Sequence, residues 1–219
     1  MSKLTVGCIV LGRLETNCYF LHREGEYEAI VVDPAQNGDK VFLKLREKGL
    51  SVKAVLLTHG HFDHLLGVNE MKELSTVEFG GLTVYAGAAE EALLSDPELN
   101  HSARIGKSYT VKPDVLVKDG EVIEVGSMKC KVIATPGHSV GSVCYYFEED
   151  DVLISGDTLF FESVGRTDFP TGDAGALRVS VEEKLFALKD EIKVYPGHGD
   201  FTTIGHEKQY NPFFSSVKA

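Results

Sequence analysis

The sequence predicts one α/β (α+β) domain in which two β-sheets lie between layers of helices. Its 219 residues are enough for a single large domain with a substantial core. Strand-like and helical segments occur in both halves of the chain, a pattern that suits sheets covered by helices. No linker, low-complexity tract or short repeat divides the sequence. Residues 1–219 are therefore expected to form one domain.

The first half of the chain alternates short apolar runs with turn residues. Runs rich in Val and Ile between turns are typical of strands, and apolar residues spaced for one face are typical of helices. Strands are expected at residues 4–11, 17–21, 29–32, 52–58 and 82–85, and helices at 40–48, 65–74 and 88–94. Residues 95–113 form a long irregular stretch, and loops of this length in compact domains are usually functional or mobile.

The second half returns to strands and ends with helices. Strands are expected at residues 122–125, 129–134, 142–147, 152–155 and 192–195. Asp173 is suited to cap the start of a helix over residues 174–188, and a short helix is expected near 206–209.

The composition argues against nucleic-acid and membrane partners. The net charge is −11, and no cluster of Lys and Arg offers a phosphate-binding surface. No apolar run approaches the roughly 20 residues that span a bilayer. The apolar run at residues 4–11 is short for a signal peptide and no small-residue cleavage site follows, so a first strand is the better interpretation.

Cysteine usage indicates a reducing compartment. Cys8, Cys18, Cys130 and Cys144 show no C-x-x-C spacing, and most of them lie in strand-like runs. Buried free thiols and a cytoplasmic location are therefore expected.

A six-residue segment with the sequence HGHFDH carries the strongest chemical signal. It follows the apolar strand over residues 52–58 and precedes the helix predicted over 65–74. His59 and His61 are two residues apart in an extended turn, so both can bind one ion. Asp63 and His64 are offset from that pair and could bind a second. Imidazole and carboxylate ligands suit zinc, and they also suit iron or manganese.

Three later turns repeat one arrangement, in which a ligand-type residue follows a strand in a glycine-containing turn. The three residues are His138 in TPGH, Asp157 in SGDT and His198 in YPGHG. Strand ends bring such side chains to one edge of a sheet. Seven ligands are too many for one zinc ion and suit two, with Asp157 able to bridge them. Burying this many polar groups without an ion would leave many of them unpaired.

These motifs resemble those of the metallo-β-lactamase superfamily. HGHFDH matches its H-x-H-x-D-H motif at every defined position, and the later ligands follow in the expected order. The segments TPGHSVGSVCYYF, SGDTLFFESVGRTDFPTGD and YPGHGDFTTIGHEKQYNPFF resemble its small glyoxalase II-like hydrolases. The resemblance runs from about Thr16 to Phe214. It implies a four-layer αββα sandwich, the metallo-β-lactamase fold, with metals at one edge.

The resemblance also implies how the ligands are divided. The first metal would be held by His59, His61 and His138. The second would be held by Asp63, His64 and His198, and Asp157 would bridge the two. Two divalent ions are expected, zinc in preference to iron or manganese. Full-length glyoxalase II has a C-terminal helical region that contributes to glutathione binding, and this chain ends at Ala219 without it.

Hydrolysis of a small-molecule thioester, such as a hydroxyacyl-glutathione, is the expected activity. A hydroxide held by the metals would attack the acyl carbon, Asp63 could receive the proton, and a thiolate leaves without much help. One alternative is a persulfide dioxygenase, in which His59, His138 and Asp157 would hold a single iron. Another is a non-catalytic metal-binding module. β-Lactam hydrolysis is a possible activity on grounds of the fold only, and a fold does not determine a function. Nucleic-acid-processing members carry inserted domains for which this chain has no room. The oligomeric state stays open.

Separate expectations apply to three other histidines and one arginine. His22 is expected to be solvated and His206 structural, while His101, in the long loop, is expected at the surface with substrate contact as the alternative. Arg166 in the GRTD segment is expected to support the metal site or contact a substrate carboxylate, and the alternative is an ion pair within its own loop.

Overall fold

Two six-stranded sheets form the framework in this computed structural model, which describes residues 2–214. The first sheet contains the strands of the N-terminal half in sequence order: β1 (Leu4–Leu11), β2 (Thr16–Arg23), β3 (Glu28–Val32), β4 (Ser51–Leu57), β5 (Thr83–Gly87) and β6 (Val115–Val117). Strands β1 to β3 pair antiparallel, and β3 to β6 pair parallel.

The second sheet contains most strands of the C-terminal half: β7 (Val122–Val125), β8 (Met128–Ala134), β9 (Val143–Phe147), β10 (Val152–Gly156), β13 (Lys193–Pro196) and β14 (Thr202–Thr203). Its strand order is β14-β13-β10-β9-β8-β7, and the β10–β13 pair is parallel. Between β10 and β13, a small hairpin is formed by β11 (Leu159–Phe160) and β12 (Ser163–Val164).

In the part of the chain that the structure describes, six α-helices accompany the sheets: α1 (Gly38–Glu47), α2 (Phe62–Leu65), α3 (Val68–Phe79), α4 (Glu91–Ser95), α5 (Ala174–Val179) and α6 (Ile204–Tyr210). Helix α5 continues directly as a π-helical segment, Ser180–Leu185. Within residues 2–214, no helix is both long and apolar enough to cross a membrane.

Three hydrophobic clusters fill the spaces between four layers. Strand side chains alternate between faces, so Ile30 and Val32 pack between the two sheets, whereas Ala29 and Val31 pack against the helices outside the first sheet. A third cluster lies between the second sheet and its helices and includes Leu185. The predicted α/β class and αββα arrangement are confirmed.

Most elements lie near their predicted positions, and the clearest difference is in the helix predicted over residues 65–74. It is divided at Gly67, whose N–H donates to the Pro34 carbonyl at 2.7 Å. A side chain at position 67 would meet that carbonyl at 2.5 Å. The close approach of the β3–α1 connection interrupts the helix here. The predicted cap is confirmed, since the Asp173 side chain accepts a hydrogen bond from the Ala176 N–H.

The prediction of buried cysteines was wrong at one position. Cys18, Cys130 and Cys144 are buried, whereas Cys8 is exposed. It lies on β1, the edge strand of the first sheet, where part of each face is open to solvent.

A buried ion pair joins the two sheets at the end of β2. Arg23 is 2% exposed and donates to both carboxylate oxygens of Asp150, at 2.6 and 2.8 Å. Asp150 lies in the turn between β9 and β10 of the second sheet. Removing one partner of a buried pair leaves the other charge uncompensated, which destabilises strongly.

We therefore expect Asp150→Ala to lower the free energy of unfolding by about 3 kcal/mol. Glu149→Ala is the matched control, because Glu149 is 44% exposed and lies 3.9 Å from the same guanidinium. It should change stability by less than about 0.5 kcal/mol. Urea denaturation followed by circular dichroism measures both. Equal losses in the two variants would show that the buried pair is not what joins the sheets.

Candidate metal centre

The predicted ligands lie at one edge of the sandwich, where four strands end. His59 and His61 follow β4, and His138, Asp157 and His198 follow β8, β10 and β13, respectively. Asp63 and His64 belong to α2, the single turn of helix that follows His61. The structure thus brings all seven predicted ligands together.

Three imidazoles form the first group, His59, His61 and His138. The Nε2 atom of His138 lies 2.8 Å from Nδ1 of His61 and 3.2 Å from Nε2 of His59. All three side chains are buried. Their ligand atoms lie within 4.8 Å of one another, close enough to share one cation.

Asp63, His64 and His198 form a second group of the same kind. The Nε2 atoms of His64 and His198 are 3.3 Å apart. Asp63 Oδ2 lies 3.6 Å from His64 Nε2 and 3.4 Å from His198 Nε2. Thr16, at the start of β2, donates to the same Asp63 oxygen at 3.2 Å and holds the carboxylate toward the two rings.

Asp157 lies between the two groups. Its Oδ1 is 3.4 Å from His64 Nε2, and its Oδ2 is 3.5 Å from His138 Nε2 and 3.6 Å from His198 Nε2. Its Oδ1 is buried and makes no hydrogen bond to any residue from 2 to 214. Each group therefore has an Asp157 oxygen within reach.

The donor chemistry of the site fits divalent cations. His138 Nδ1 lies 2.8 Å from the Arg166 carbonyl, and His198 Nδ1 lies 2.9 Å from the Leu14 carbonyl. A carbonyl only accepts hydrogen bonds, so these Nδ1 atoms carry the protons and the inward Nε2 atoms present lone pairs. Lone pairs that converge at about 3 Å repel one another unless a proton or a metal ion lies between them, and a set of imidazole and carboxylate donors suits a divalent metal.

The pKa shifts of His61 and His64 also indicate that the site favours a bound positive charge. Burial and the neighbouring His138 lower the pKa of His61 to about 2, so this ring stays neutral and able to bind a cation. Burial also opposes a charge on His64, yet Asp157, Asp63 and Asp33 outweigh it and raise the pKa of His64 to about 10. The half of the site with the carboxylates therefore favours a cation strongly.

Asp33 orients two of the rings and lies outside the motifs from which the sequence predicts the site, directly after β3. It is buried, its Oδ2 lies 2.9 Å from His64 Nδ1, and it accepts the Thr58 hydroxyl at 2.7 Å. The Thr58 hydroxyl lies 3.1 Å from Nδ1 of His59. A carboxylate that holds a ligating imidazole fixes its tautomer and orientation. The sequence feature that could have indicated this role is an acidic residue directly after the strand that pairs with β4.

Glu90 is a second buried carboxylate that the sequence did not reveal. It is fully buried and accepts three hydrogen bonds, from the Gly60 N–H at 2.8 Å, the Gly141 N–H at 2.7 Å and the Ser139 hydroxyl at 2.6 Å. Burial raises the pKa of Glu90, and these three donors oppose that rise. Glu90 thus ties the turn between His59 and His61 to the turn after His138. Its Oε2 would lie 2.8 Å from a β-carbon at position 60, which explains the glycine there.

The expectation for His101 was wrong. This ring is 2% exposed and lies stacked on His61, with ring centroids 5.4 Å apart and an interplanar angle of 11°. Burial, followed by the charge of Arg104, lowers the pKa of His101. His22 is half-buried, with Nδ1 3.1 Å from the Arg23 carbonyl. His206 lies outside the site and pairs with Glu162 at 3.0 Å.

Arg166 contributes its main chain to the site, while its side chain makes the ion pair within the loop. The guanidinium donates to both oxygens of Asp168 at 2.7 Å and lies 4.0 Å from the ring centre of Phe169. Its carbonyl accepts the hydrogen bond from His138. The guanidinium itself lines the opening of the cavity and is exposed, so it does not neutralise the buried acids.

A cavity of about 470 Å³ opens over the ligands. Apolar side chains form part of its wall, among them Leu14, Phe160 and Phe169. Two cations, Arg104 and Arg166, also line it. The cavity is large enough for a small molecule whose reacting group lies against the metal ligands.

Comparison with known proteins identifies the family. The family model of the metallo-β-lactamase superfamily matches residues 11–198. The probable metallo-hydrolase YqgX of Bacillus subtilis is 37% identical over 207 residues, which cover 94% of this chain and 95% of that protein. The hydroxyacylglutathione hydrolase GloC of Haemophilus influenzae is 32% identical over 214 residues, covering 97% and 99%. The chain belongs to the metallo-β-lactamase superfamily.

Solved structures agree with this membership. The BLEG-1 B3 metallo-β-lactamase superposes with a TM-score of 0.89 at 38% identity and covers 96% of this chain and 100% of its own. TTHA1623, crystallised in a di-iron-bound form, has a TM-score of 0.82 at 32% identity and covers 95% and 100%. These similarities and the His/Asp cluster support a metal-dependent hydrolase.

Glu90→Gln should weaken metal binding by about 10- to 100-fold. The Glu90 carboxylate accepts hydrogen bonds from two backbone N–H groups, and in the variant an amide NH₂ would face one of them and could not accept its hydrogen bond. Glu91→Gln, at an exposed position next to it, is the matched control and should bind metal as the unmodified protein does. Competition with a chelator of known affinity measures the difference. Unchanged affinity in Glu90→Gln, with the fold retained, would show that the two turns hold their positions without this carboxylate.

Proposed function

We propose that this chain is a binuclear metal-dependent hydrolase that cleaves a thioester such as a hydroxyacyl-glutathione. The observation that carries the proposal is the position of Asp157. Its Oδ2 lies 3.5 Å from His138 of the first group and 3.6 Å from His198 of the second, and its Oδ1 lies 3.4 Å from His64. A site with seven ligands of this kind suits two ions that share one carboxylate. GloC, a relative over nearly its whole length, is named for hydroxyacylglutathione hydrolysis.

The ligands would be divided as the geometry groups them. His59, His61 and His138 would hold one cation, and Asp63, His64 and His198 the other, with Asp157 between them. Zinc is the proposed metal, and iron is the alternative that the di-iron form of TTHA1623 favours. Bound divalent ions would polarise a substrate carbonyl and lower the pKa of water.

The chain's own residues position the reaction and move its proton. The outward hydrogen bonds of His64, His138 and His198 keep their Nε2 atoms directed at the site. Nearby His64 and His198 outweigh burial and hold the pKa of Asp63 below its usual range, so it is ionised and can accept the proton of the attacking water. The Thr16 hydroxyl donates to its Oδ2 and holds the carboxylate beside the site.

A thioester suits this site because its leaving group needs little protonation. Free thiols have a pKa near 8.5, so the departing thiolate is stable near neutral pH. Apart from the metal ligands, the ionisable groups lining the cavity are His101, Arg104 and Arg166.

Four free cysteines and a thiol carrier both suit a reducing cytoplasm, which we propose as the compartment.

β-Lactam hydrolysis is a second candidate, and the 38% identity to the BLEG-1 B3 metallo-β-lactamase favours it. Both reactions begin with attack on an acyl carbon, but an amide nitrogen must be protonated to leave. Parallel assays with S-lactoylglutathione and nitrocefin separate them. If kcat/KM is higher for nitrocefin than for S-lactoylglutathione, β-lactam hydrolysis would replace thioester hydrolysis as the proposed activity.

The decisive variant is Asp157→Asn. We expect its kcat with S-lactoylglutathione, followed by the loss of thioester absorbance, to fall at least about 100-fold, because an amide cannot supply the shared negative charge. Asp200→Asn, at an exposed position two residues from His198, should keep its rate within twofold.

Two results would contradict the proposal. Undiminished thioester cleavage by Asp157→Asn would exclude the bridging role. Oxygen consumption with glutathione persulfide under air, without cleavage of the thioester, would instead indicate the mononuclear iron dioxygenase.

A further inference from the structure

A second cavity, of about 490 Å³, adjoins the cavity over the metal ligands. The two cavities share three lining residues, Leu14, Phe62 and Asp63. Of the seven predicted metal ligands, five line the cavity over the ligands, whereas Asp63 alone lines the second cavity. A molecule whose reacting group lies at the metal ligands can therefore extend past Leu14 and Phe62 into the second cavity.

Two loops that are distant in sequence form walls of the second cavity. The turn between β1 and β2 contributes Arg13 and Leu14, and the Leu14 carbonyl lies 2.9 Å from His198 Nδ1. The loop that precedes β6 contributes Lys107, whose N–H donates to the Ser102 carbonyl at 3.0 Å. Backbone hydrogen bonds thus tie the first loop to the metal centre and close a turn in the second, so both walls have set positions.

The second cavity combines an apolar lining with two cationic side chains. Arg13 and Lys107 are exposed, and neither forms an ion pair with any side chain that the structure describes. Asp63, a predicted metal ligand, is the one carboxylate among the lining residues in the described part of the chain. The apolar lining is provided by Leu11, Ala35, Phe62, Leu66 and Ile105. Although the net charge of the chain is −11, this cavity favours an anion.

The placement of the two cations distinguishes them from ordinary surface charges. A single exposed lysine or arginine is usually only solvated. Arg13 and Lys107 come from different loops and line one concave space that continues to the metal ligands. An apolar lining with cations at its walls suits a ligand arm that has an apolar stem and ends in a carboxylate.

We propose that the second cavity binds a carboxylate-bearing arm of the thioester substrate, with Arg13 and Lys107 pairing with the carboxylate. The inference rests on the proposed function and adds a binding site to it. A guanidinium can pair with both oxygens of a carboxylate, and an ammonium adds a second positive charge. The arm belongs either to the acyl chain or to the thiol carrier, because the scissile bond at the metal ligands has one on each side.

Uncleavable thioethers of glutathione test the inference separately from catalysis. S-(3-carboxypropyl)glutathione and S-(3-carbamoylpropyl)glutathione differ in charge at the end of the S-alkyl chain, which represents the acyl arm. S-propylglutathione and its glycine amide differ in charge at the end of the carrier. Titration calorimetry with the metal-loaded protein should give, in at least one pair, a Kd at least about fivefold lower for the probe with the extra carboxylate.

A double variant tests whether the second cavity causes that preference. In Arg13→Gln/Lys107→Gln, the two Kd values of the pair should agree within about twofold, because glutamine is polar but carries no charge. Lys44→Gln/Lys48→Gln is the matched control. It removes the same total charge from exposed positions on α1, outside both cavities, and should keep the full preference.

Added salt gives an independent measure. Charge pairs at exposed positions are screened by salt, so the preference of the unmodified protein should decrease as sodium chloride is added. The double variant Arg13→Gln/Lys107→Gln should show no such change. Metal content and melting temperature of each variant are measured alongside.

The results also identify which arm the second cavity holds. Loss of the preference in the S-alkyl pair would assign the cavity to the acyl chain, and loss in the glycine pair would assign it to the carrier. No preference in either pair, or an unchanged preference in Arg13→Gln/Lys107→Gln, would overturn the inference. Failure to cleave S-lactoylglutathione would instead overturn the proposed function, while the binding result would still decide whether Arg13 and Lys107 hold a carboxylate.

Discussion

The convergence of nitrogen lone pairs and carboxylate oxygens on one small volume is the constraint on which the rest of the structure depends. Ring nitrogens of His61 and His59 approach Nε2 of His138 to 2.8 and 3.2 Å, respectively. Such a cluster is unfavourable without a bound cation, because buried lone pairs and carboxylate oxygens at these distances repel one another. A cation converts that cost into binding energy, and the acidic residues on the other side add to the attraction.

The packing of the two sheets brings the converging side chains together. Four ligand-bearing turns follow strands β4, β8, β10 and β13, which belong to two different sheets. Only when the sheets pack face to face do these turns meet, so the central hydrophobic cluster positions the site as well as stabilising the chain. Glu90 and Asp33 then connect the turns through buried hydrogen bonds. Packing sets the approximate geometry, and the two carboxylates refine it.

The convergence of the seven side chains could be predicted from the sequence because each lies in a short local motif, as HGHFDH and the three glycine-containing turns show. The supporting residues could not. Asp33 lies 31 positions from His64, and Glu90 lies 30 positions from Gly60, so only the folded chain shows that they meet. His101 was placed at the surface because a polar residue in a long loop is usually exposed. The buried hydrogen bonds of Asn100 and Ser102, which hold it inside, leave no periodic signal.

Strands were predicted well where they span five or more residues with alternating or continuous apolar character, as in β1 and β9. The strands of two or three residues, β6, β11, β12 and β14, were missed because so short a segment has no detectable period. The break at Gly67 was missed for a different reason, since a close contact with Pro34 causes it.

Anomalous X-ray diffraction from crystals of the metal-loaded protein tests the central claim most directly. The account predicts two separate peaks, one enclosed by His59, His61 and His138 and the other by Asp63, His64 and His198, with Asp157 between them. A single peak, or peaks away from these side chains, would contradict it.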